Sequence, residues 1–280
     1  MPELVPHNSL TQEELAELRV AHDSLENPGL AAQLTNLIGK PIEKGFAKLP
    51  DGWQEQISKL TQTALVTATE KIVLPTLDAK TGGPTGNLFH KALAAGTGAF
   101  GGAFGFAALA VELPISTGIF LRSILDVASS EGVDLTNKEK LSETLTQCIA
   151  VLAMGSEGKN TEGVDTGYLA VRMALAQNIK MATSYLATNS GKKIVGRELA
   201  PPLIEFLAKV ATRFNITLTE KAAAMAIPVV GAVGGGMLNY FFIDFYQKLA
   251  KAHFFILRME AKYGQEEVRR LYETMKKSEE

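Results

Sequence analysis

The sequence predicts an all-α protein, a single helical domain of about ten helices. Three observations point there. No stretch sustains the apolar–polar alternation that a sheet requires. From Leu238 onward, apolar residues fall at Phe242, Phe245, Leu249, Ala252, Ile256, Met259 and Tyr263, spaced three and four apart like a helix face packed on other helices. The form Thr-x-x-Glu, whose side chains satisfy each other's backbone N–H groups at a helix start, occurs at Thr11, Thr136 and Thr217.

Taken in order, the Thr11 box starts a short exposed helix. The stretch from Pro28 to Lys48 is helical in pattern but broken by Pro41, which cannot donate a helical hydrogen bond. Asp51 is placed to cap a helix whose face carries Trp53, Ile57, Leu60, Ala64, Ala68 and Ile72, ending before Pro75. Asp78 to Gly86 (DAKTGGPTG) reads as a loop. Asn87 to Val111 is a Gly/Ala helix in which Gly98 and Gly102, and Gly101 and Gly105, lie four apart. Each interior glycine costs about 1 kcal/mol against alanine, so that bare side implies close packing, with another helix backbone the usual neighbour. Pro114 starts or kinks the next helix, to about Ser130, and Gly132 stops it; the Thr136 box opens another, to about Met154. The polar run GSEGKNTEG follows as a loop, then a helix from Asp165 to Leu186. Pro201-Pro202 separates a weak basic segment (Lys192, Lys193, Arg197) from a short helix ending near Phe214. The third Thr-x-x-Glu form launches the segment Thr219 to Gly264, the longest in the chain. The two Gly/Ala segments share a plan, and the architecture expected is two Gly/Ala-rich helical hairpins packed through their small-residue faces. Residues 1–50 form an N-terminal helical extension and residues 51–280 the main domain.

At 280 residues and 46% hydrophobic, the chain has ample material for one large core. A net charge of −2 lacks the basic excess of a nucleic-acid binder. The single cysteine, Cys148, excludes an intrachain disulfide and a Cys-rich zinc site, and its run CIAVLAM reads as buried core. The start, MPELVPHNSLTQEELAELR, is polar and acidic and does not read as a secretory signal; the expected location is cytoplasmic, with a peripheral place on the inner membrane face. Ala92 to Val111 and Ala222 to Ile243 are charge-free and long enough to span a bilayer. Both are rich in Ala and Gly, which gain little in lipid, and Pro228 interrupts the second; buried helices are the better reading.

Several runs in order carry a family resemblance: ALAVELPISTGIFLRSILDVASSEGVDL, GYLAVR, RFNITLTEKAAAMAIPVVGAVGGGMLN and AHFFILRMEAKYG. The sequence resembles the EcsC protein family over its last two thirds, and its first eighty residues match more weakly. The pattern falls on Glu112, Pro114, Arg122, Glu131, Gly132, Gly167, Tyr168 and Arg172. It continues at Arg213, Phe214, Pro228, Gly231, Asn239, His253, Arg258, Glu260 and Gly264. The family is named for a gene beside a bacterial ABC transporter and is not defined by a reaction. The resemblance implies a bacterial protein connected with membrane or export processes, and no catalytic mechanism.

Beside the apolar face of the last segment, Asn239, Tyr246, His253 and Glu260 recur every seven residues and so line one edge. With Glu112, Arg122, Asp126 and Arg258 they are expected to form a polar seam between the hairpins, structural or holding a ligand head group. Arg122 and Asp126 can pair directly, and His253 is expected to bond Glu112 or Asp126. Tyr168 and Arg172, one turn apart, are read as an exposed pair able to hold an anion. His253 and Glu260 are too far apart along the helix to grip one metal, so no metal and no cofactor is expected. GAVGGG lacks the strand and the Lys-Ser/Thr of a phosphate loop. The function expected is a non-enzymatic, membrane-associated protein binding an apolar ligand, a lipid, lined by Phe100, Phe104, Phe241, Phe242 and Phe254. The alternatives are a scaffold or regulator docking on an ABC-type transporter and, with lower weight, an enzyme using Glu112, Arg122 and His253. The partner expected is a lipid or membrane surface, not nucleic acid.

Overall fold

The computed structural model describes residues 10–26, 29–39, 41–78, 109–155, 167–189, 199–227 and 235–276. The Gly/Ala run with Phe100 and Phe104, the polar loop after Gly155, the basic segment Lys192–Arg197, Pro228 and Gly231 lie outside the described residues. So does the first of the two expected hairpins up to Leu109.

Every regular element among the described residues is a helix. In chain order these are α1 (Gln12–Glu26), α2 (Leu30–Ile38), α3 (Glu43–Phe46) and α4 (Trp53–Ala68), which runs through a π-turn (Thr69–Val73) into α5 (Leu74–Asp78). Then come α6 (Leu109–Ser130), α7 (Lys138–Val151), α8 (Tyr168–Asn189), α9 (Pro201–Met225), α10 (Gly235–Tyr263) and α11 (Gln265–Lys276).

Helix α10 is the centre: it packs against α1, α6, α7 and α11. Its three-four apolar face does this, with Phe242, Leu249 and Ile256 at 1% exposure or less. Around it α4 packs on α6 and α9, and α8 packs on both α7 and α9. One continuous core of buried residues runs from Leu10 to Tyr272. Among the described residues no helix is long and apolar enough to cross a membrane. The charge-free run Ala222 to Ile243 is not one helix, because α9 ends at Met225 and α10 begins at Gly235.

Local signals held at some boundaries and failed at others. At α1, Thr11 N–H donates to Glu14 Oε2 (2.8 Å) and Glu14 N–H to Thr11 Oγ1 (3.2 Å), the reciprocal pair expected. Gly132 ends α6 at φ 86°, with Gly132 N–H on the Ser129 carbonyl and Val133 N–H on the Ala128 carbonyl, the two closing bonds of a Schellman motif. At α7 the cap is Asn137, not Thr136: its Oδ1 accepts from the Glu139 and Lys140 N–H groups, while Thr136 bonds Asp134. Asp51 is no cap either. Gly52 precedes α4 in the left-handed region, φ 73°, with no side-chain hydrogen bond to the helix start.

Two breaks expected from local chemistry are overridden by burial, and Pro114 stands within its helix rather than starting it. Pro75 does not end its helix; the π-turn reshapes the backbone just before it. Pro114 lies inside α6, where it forfeits one bond close to the start while Leu113, Thr117 and Phe120 around it are fully buried. The Thr217 form lies in the middle of α9, a 25-residue helix with Pro201 and Pro202 in its first turn. Thr217 is buried there and caps nothing, since the apolar face continues through Phe214, Leu218 and Ala222.

Candidate functional site

Two separate clusters of polar groups lie in the core where one seam is expected. The first begins at α8. Tyr168, its first residue, is 1% exposed. Its backbone N–H donates to Glu26 Oε1 of α1 (3.2 Å), so α1 caps α8 from another part of the chain. Its hydroxyl lies 2.9 Å from His253 Nδ1 of α10, and His253 Nε2 lies 3.0 Å from Gln147 Oε1 of α7. One turn on, the Arg172 guanidinium donates two parallel bonds to Glu260, 2.7 and 2.8 Å. Tyr272 of α11 closes the cluster by donating to Glu26 Oε1 at 2.9 Å.

Burial dominates the electrostatics. It holds His253 well below the usual imidazole value, with the Arg172 cation adding to the effect, so the ring is neutral. Burial also pushes the Tyr168 hydroxyl up, with Arg172 opposing in part. For Arg172 itself burial works against the charge, but the bonds to Glu260 outweigh it and the guanidinium stays cationic.

The second cluster joins α6 to α9. Lys221, fully buried, donates to Glu112 Oε1 at 2.6 Å and lies 5.1 and 5.6 Å from the ring centres of Phe120 and Phe242. Glu112 Oε2 is buried with no hydrogen bond.

Several expectations are therefore corrected. His253 bonds neither Glu112 nor Asp126: it faces α7 and α8 across α10, while Glu112 is taken by Lys221. Tyr168 and Arg172 are not an exposed anion pair, because their polar atoms are turned inward onto His253 and Glu260. Arg122 does pair with Asp126, 3.0 Å, along α6. Arg258 points away from the seam toward Glu131 and Glu17 at the half-exposed side of α10. Tyr246 is buried among Phe120, Phe214 and Phe245, its hydroxyl 3.5 Å from the Leu152 carbonyl, and Asn239 is half-buried near the start of α10. Phe242 and Phe254 are sealed in the packed core, with Phe241 at its edge, so these three line no described cavity.

Sequence reasoning missed Lys221, Gln147, Glu26 and Tyr272. Lys221 was detectable: Arg213, Thr217 and Lys221 follow at intervals of four on the face that carries Phe214 and Leu218. An uncharged Gln147 in an amphipathic helix carries no such signal.

Between α7, α8 and the α10–α11 junction lies a groove of about 510 Å³. Leu169, Met173, Ala176 and Ile179 give it an apolar wall, and Gln147, Arg172 and Glu260 join it to the first cluster. Lys180, Arg269 and Glu143, with Thr183, Ser184 and Gln265, complete the lining. No group of three or more metal-ligating side chains occurs among the described residues.

Fold and site define an all-helical protein with a buried Tyr–His–Gln chain and an Arg–Glu bridge behind a half-apolar groove. The model of the EcsC protein family matches residues 12–259, and the chain belongs to that family. The matched region takes in α1 to α3, which the sequence reading had set apart as an extension. No curated protein and no solved structure matches the chain.

Proposed function

We propose that this is a non-enzymatic, membrane-associated helical protein that binds an apolar ligand, a lipid. The observation that carries the reading is the groove between α7, α8 and α11. Its volume of about 510 Å³ falls in the range of small-molecule sites, and it joins an apolar wall on α8 to a polar and charged lining, the two chemistries of an amphiphile. Met173, on that wall, is 67% exposed, an apolar group for which an acyl chain or bilayer surface is a suitable neighbour. The lining envisaged from Phe241, Phe242 and Phe254 is replaced by this wall on α8.

The polar cluster supports binding over catalysis. Both ring nitrogens of His253 have protein partners, and both terminal nitrogens of Arg172 are held by Glu260. His253 therefore presents no spare nitrogen to a ligand, which a general base needs. Native mass spectrometry of gently purified protein, with flotation on liposomes of mixed phosphatidylethanolamine and phosphatidylglycerol, tests the proposal. Co-purified lipid and co-flotation are expected; lipid-free protein that ignores the vesicles overturns it.

A further inference from the structure

We infer that the groove takes an amphiphile with an anionic head group, a carboxylate or a phosphate monoester, and that Gln147 and Lys180 meet that head. This deepens the lipid reading and rests on it.

The inference begins with the direction of the Tyr168–His253–Gln147 chain. A neutral imidazole has one N–H, so the ring donates on one side and accepts on the other. If Nδ1 carried the proton, Nε2 would accept and Gln147 would turn its NH2 inward, leaving a carbonyl in the groove. If Nε2 carries it, Gln147 gives its carbonyl to the ring and keeps its NH2 for the groove. The amide decides between them. The Gln147 atom 3.0 Å from Nε2 is its carbonyl Oε1, which can only accept, so Nε2 carries the proton and Nδ1 is left to accept from the phenol. Tyr168 therefore donates to Nδ1, Nε2–H donates to Gln147 Oε1, and the Gln147 amide nitrogen is left over. That nitrogen belongs to a partly exposed side chain lining the groove and has no hydrogen-bond partner among the described residues.

A second group points the same way. The groove's charged lining is Arg172, Lys180 and Arg269 with Glu143 and Glu260. Arg172 and Glu260 cancel by pairing and Arg269 commits its Nε to Glu273, which leaves Lys180 on α8 and Glu143 on α7. Lys180 is exposed and forms no ion pair among the described residues. It stands one helical turn beyond Ala176 of the apolar wall on α8 and directly follows Ile179. A head group that accepts hydrogen bonds and carries negative charge fits a free amide N–H and a free ammonium; its alkyl chain fits Leu169, Met173 and Ile179.

The test is isothermal titration with four probes, the amphiphiles held below their micellar concentrations: dodecanoate, dodecyl phosphate, dodecanol and inorganic phosphate. Dodecanoate and dodecyl phosphate are expected to bind, dodecanol about tenfold or more weaker, and inorganic phosphate not measurably. Gln147→Glu, which replaces the free N–H with a carboxylate oxygen, and Lys180→Gln should each weaken dodecanoate about tenfold while leaving dodecanol unchanged. Lys180 is on the surface, so its variant keeps the test independent of folding, and melting temperature checks the Gln147 variant. Equal binding of dodecanol and dodecanoate, or no effect of either variant, overturns the head-group inference and leaves the lipid reading standing. Binding of inorganic phosphate as tight as dodecyl phosphate also overturns it, the site then being one for a free anion. If no amphiphile binds and the purified protein is lipid-free, both fall together.

Discussion

A lysine with no exposed surface keeps its charge only through its neighbours, and Lys221 has few. Burial pushes its ammonium below the usual lysine value, the Glu112 carboxylate opposes that, and two aromatic faces supply the rest. Such pairs gain little over well-packed apolar groups, because removing two ions from water costs about as much as their attraction returns. Removing one partner is another matter. Lys221→Met leaves Glu112 buried with both oxygens unpaired, and should destabilise the protein by about 3–5 kcal/mol. The double variant Lys221→Met/Glu112→Leu removes both ions and should recover most of that loss. Urea unfolding of the two variants and the parent measures it. A single-variant cost under about 1 kcal/mol, or a double variant no better than the single, would contradict the pairing.

At the scale of the helix, close approach matters more than propensity. Gly45 in α3 lies against the Ala223 backbone of α9, and a Cβ there would overlap the carbonyl, which cannot move like a side chain. Gly118 in α6 would set its Cβ at an ordinary 3.4 Å from the flexible Ile72 side chain. The same substitution should therefore have opposite signs. Gly45→Ala should destabilise by about 1–3 kcal/mol as α3 is pushed off α9. Gly118→Ala should be neutral or stabilising by up to about 1 kcal/mol, since it relieves a glycine within a helix. Equal effects in chemical denaturation would show that propensity, not contact, governs both positions. The boundaries teach the same lesson. Gly132 and the Thr11 box were legible because each completes its own hydrogen bonds within a few residues. Thr217 misled and Pro114 left two readings open, because long-range burial of Phe214, Leu218 and Phe120 outweighs any local preference for a break.

Across the whole molecule, α10 could be read as central from its apolar period, and its companions could not. His253 and Glu260 were visible as an edge stripe, but their partners come from α7 and α8, 85 to 106 residues away in sequence, which spacing rules do not reach. The same holds for α1, which looked like a loose extension. It is tied down by its acidic residues: Glu26 accepts from the Tyr168 backbone and the Tyr272 hydroxyl, and Glu14 accepts from Lys262 and Tyr263 at the end of α10. Glu14 thus serves its own helix start and the joint to α10. The Lys262 bond first, then Tyr263 and the Thr11 N–H, lower its carboxyl from the usual 4.5 to about 2. A depressed carboxyl binds its proton more readily in the unfolded chain, so its contribution is whole above about pH 4.5 and is lost as pH falls toward 2. The stability difference between the parent and Glu14→Gln should be level from pH 7 to 5, then shrink toward zero by pH 2. Thermal unfolding of both proteins across that range measures it, and subtracting one curve from the other removes the carboxylates they share. A difference that stays constant down to pH 2 would mean that the Glu14 charge contributes nothing to holding α1 against α10.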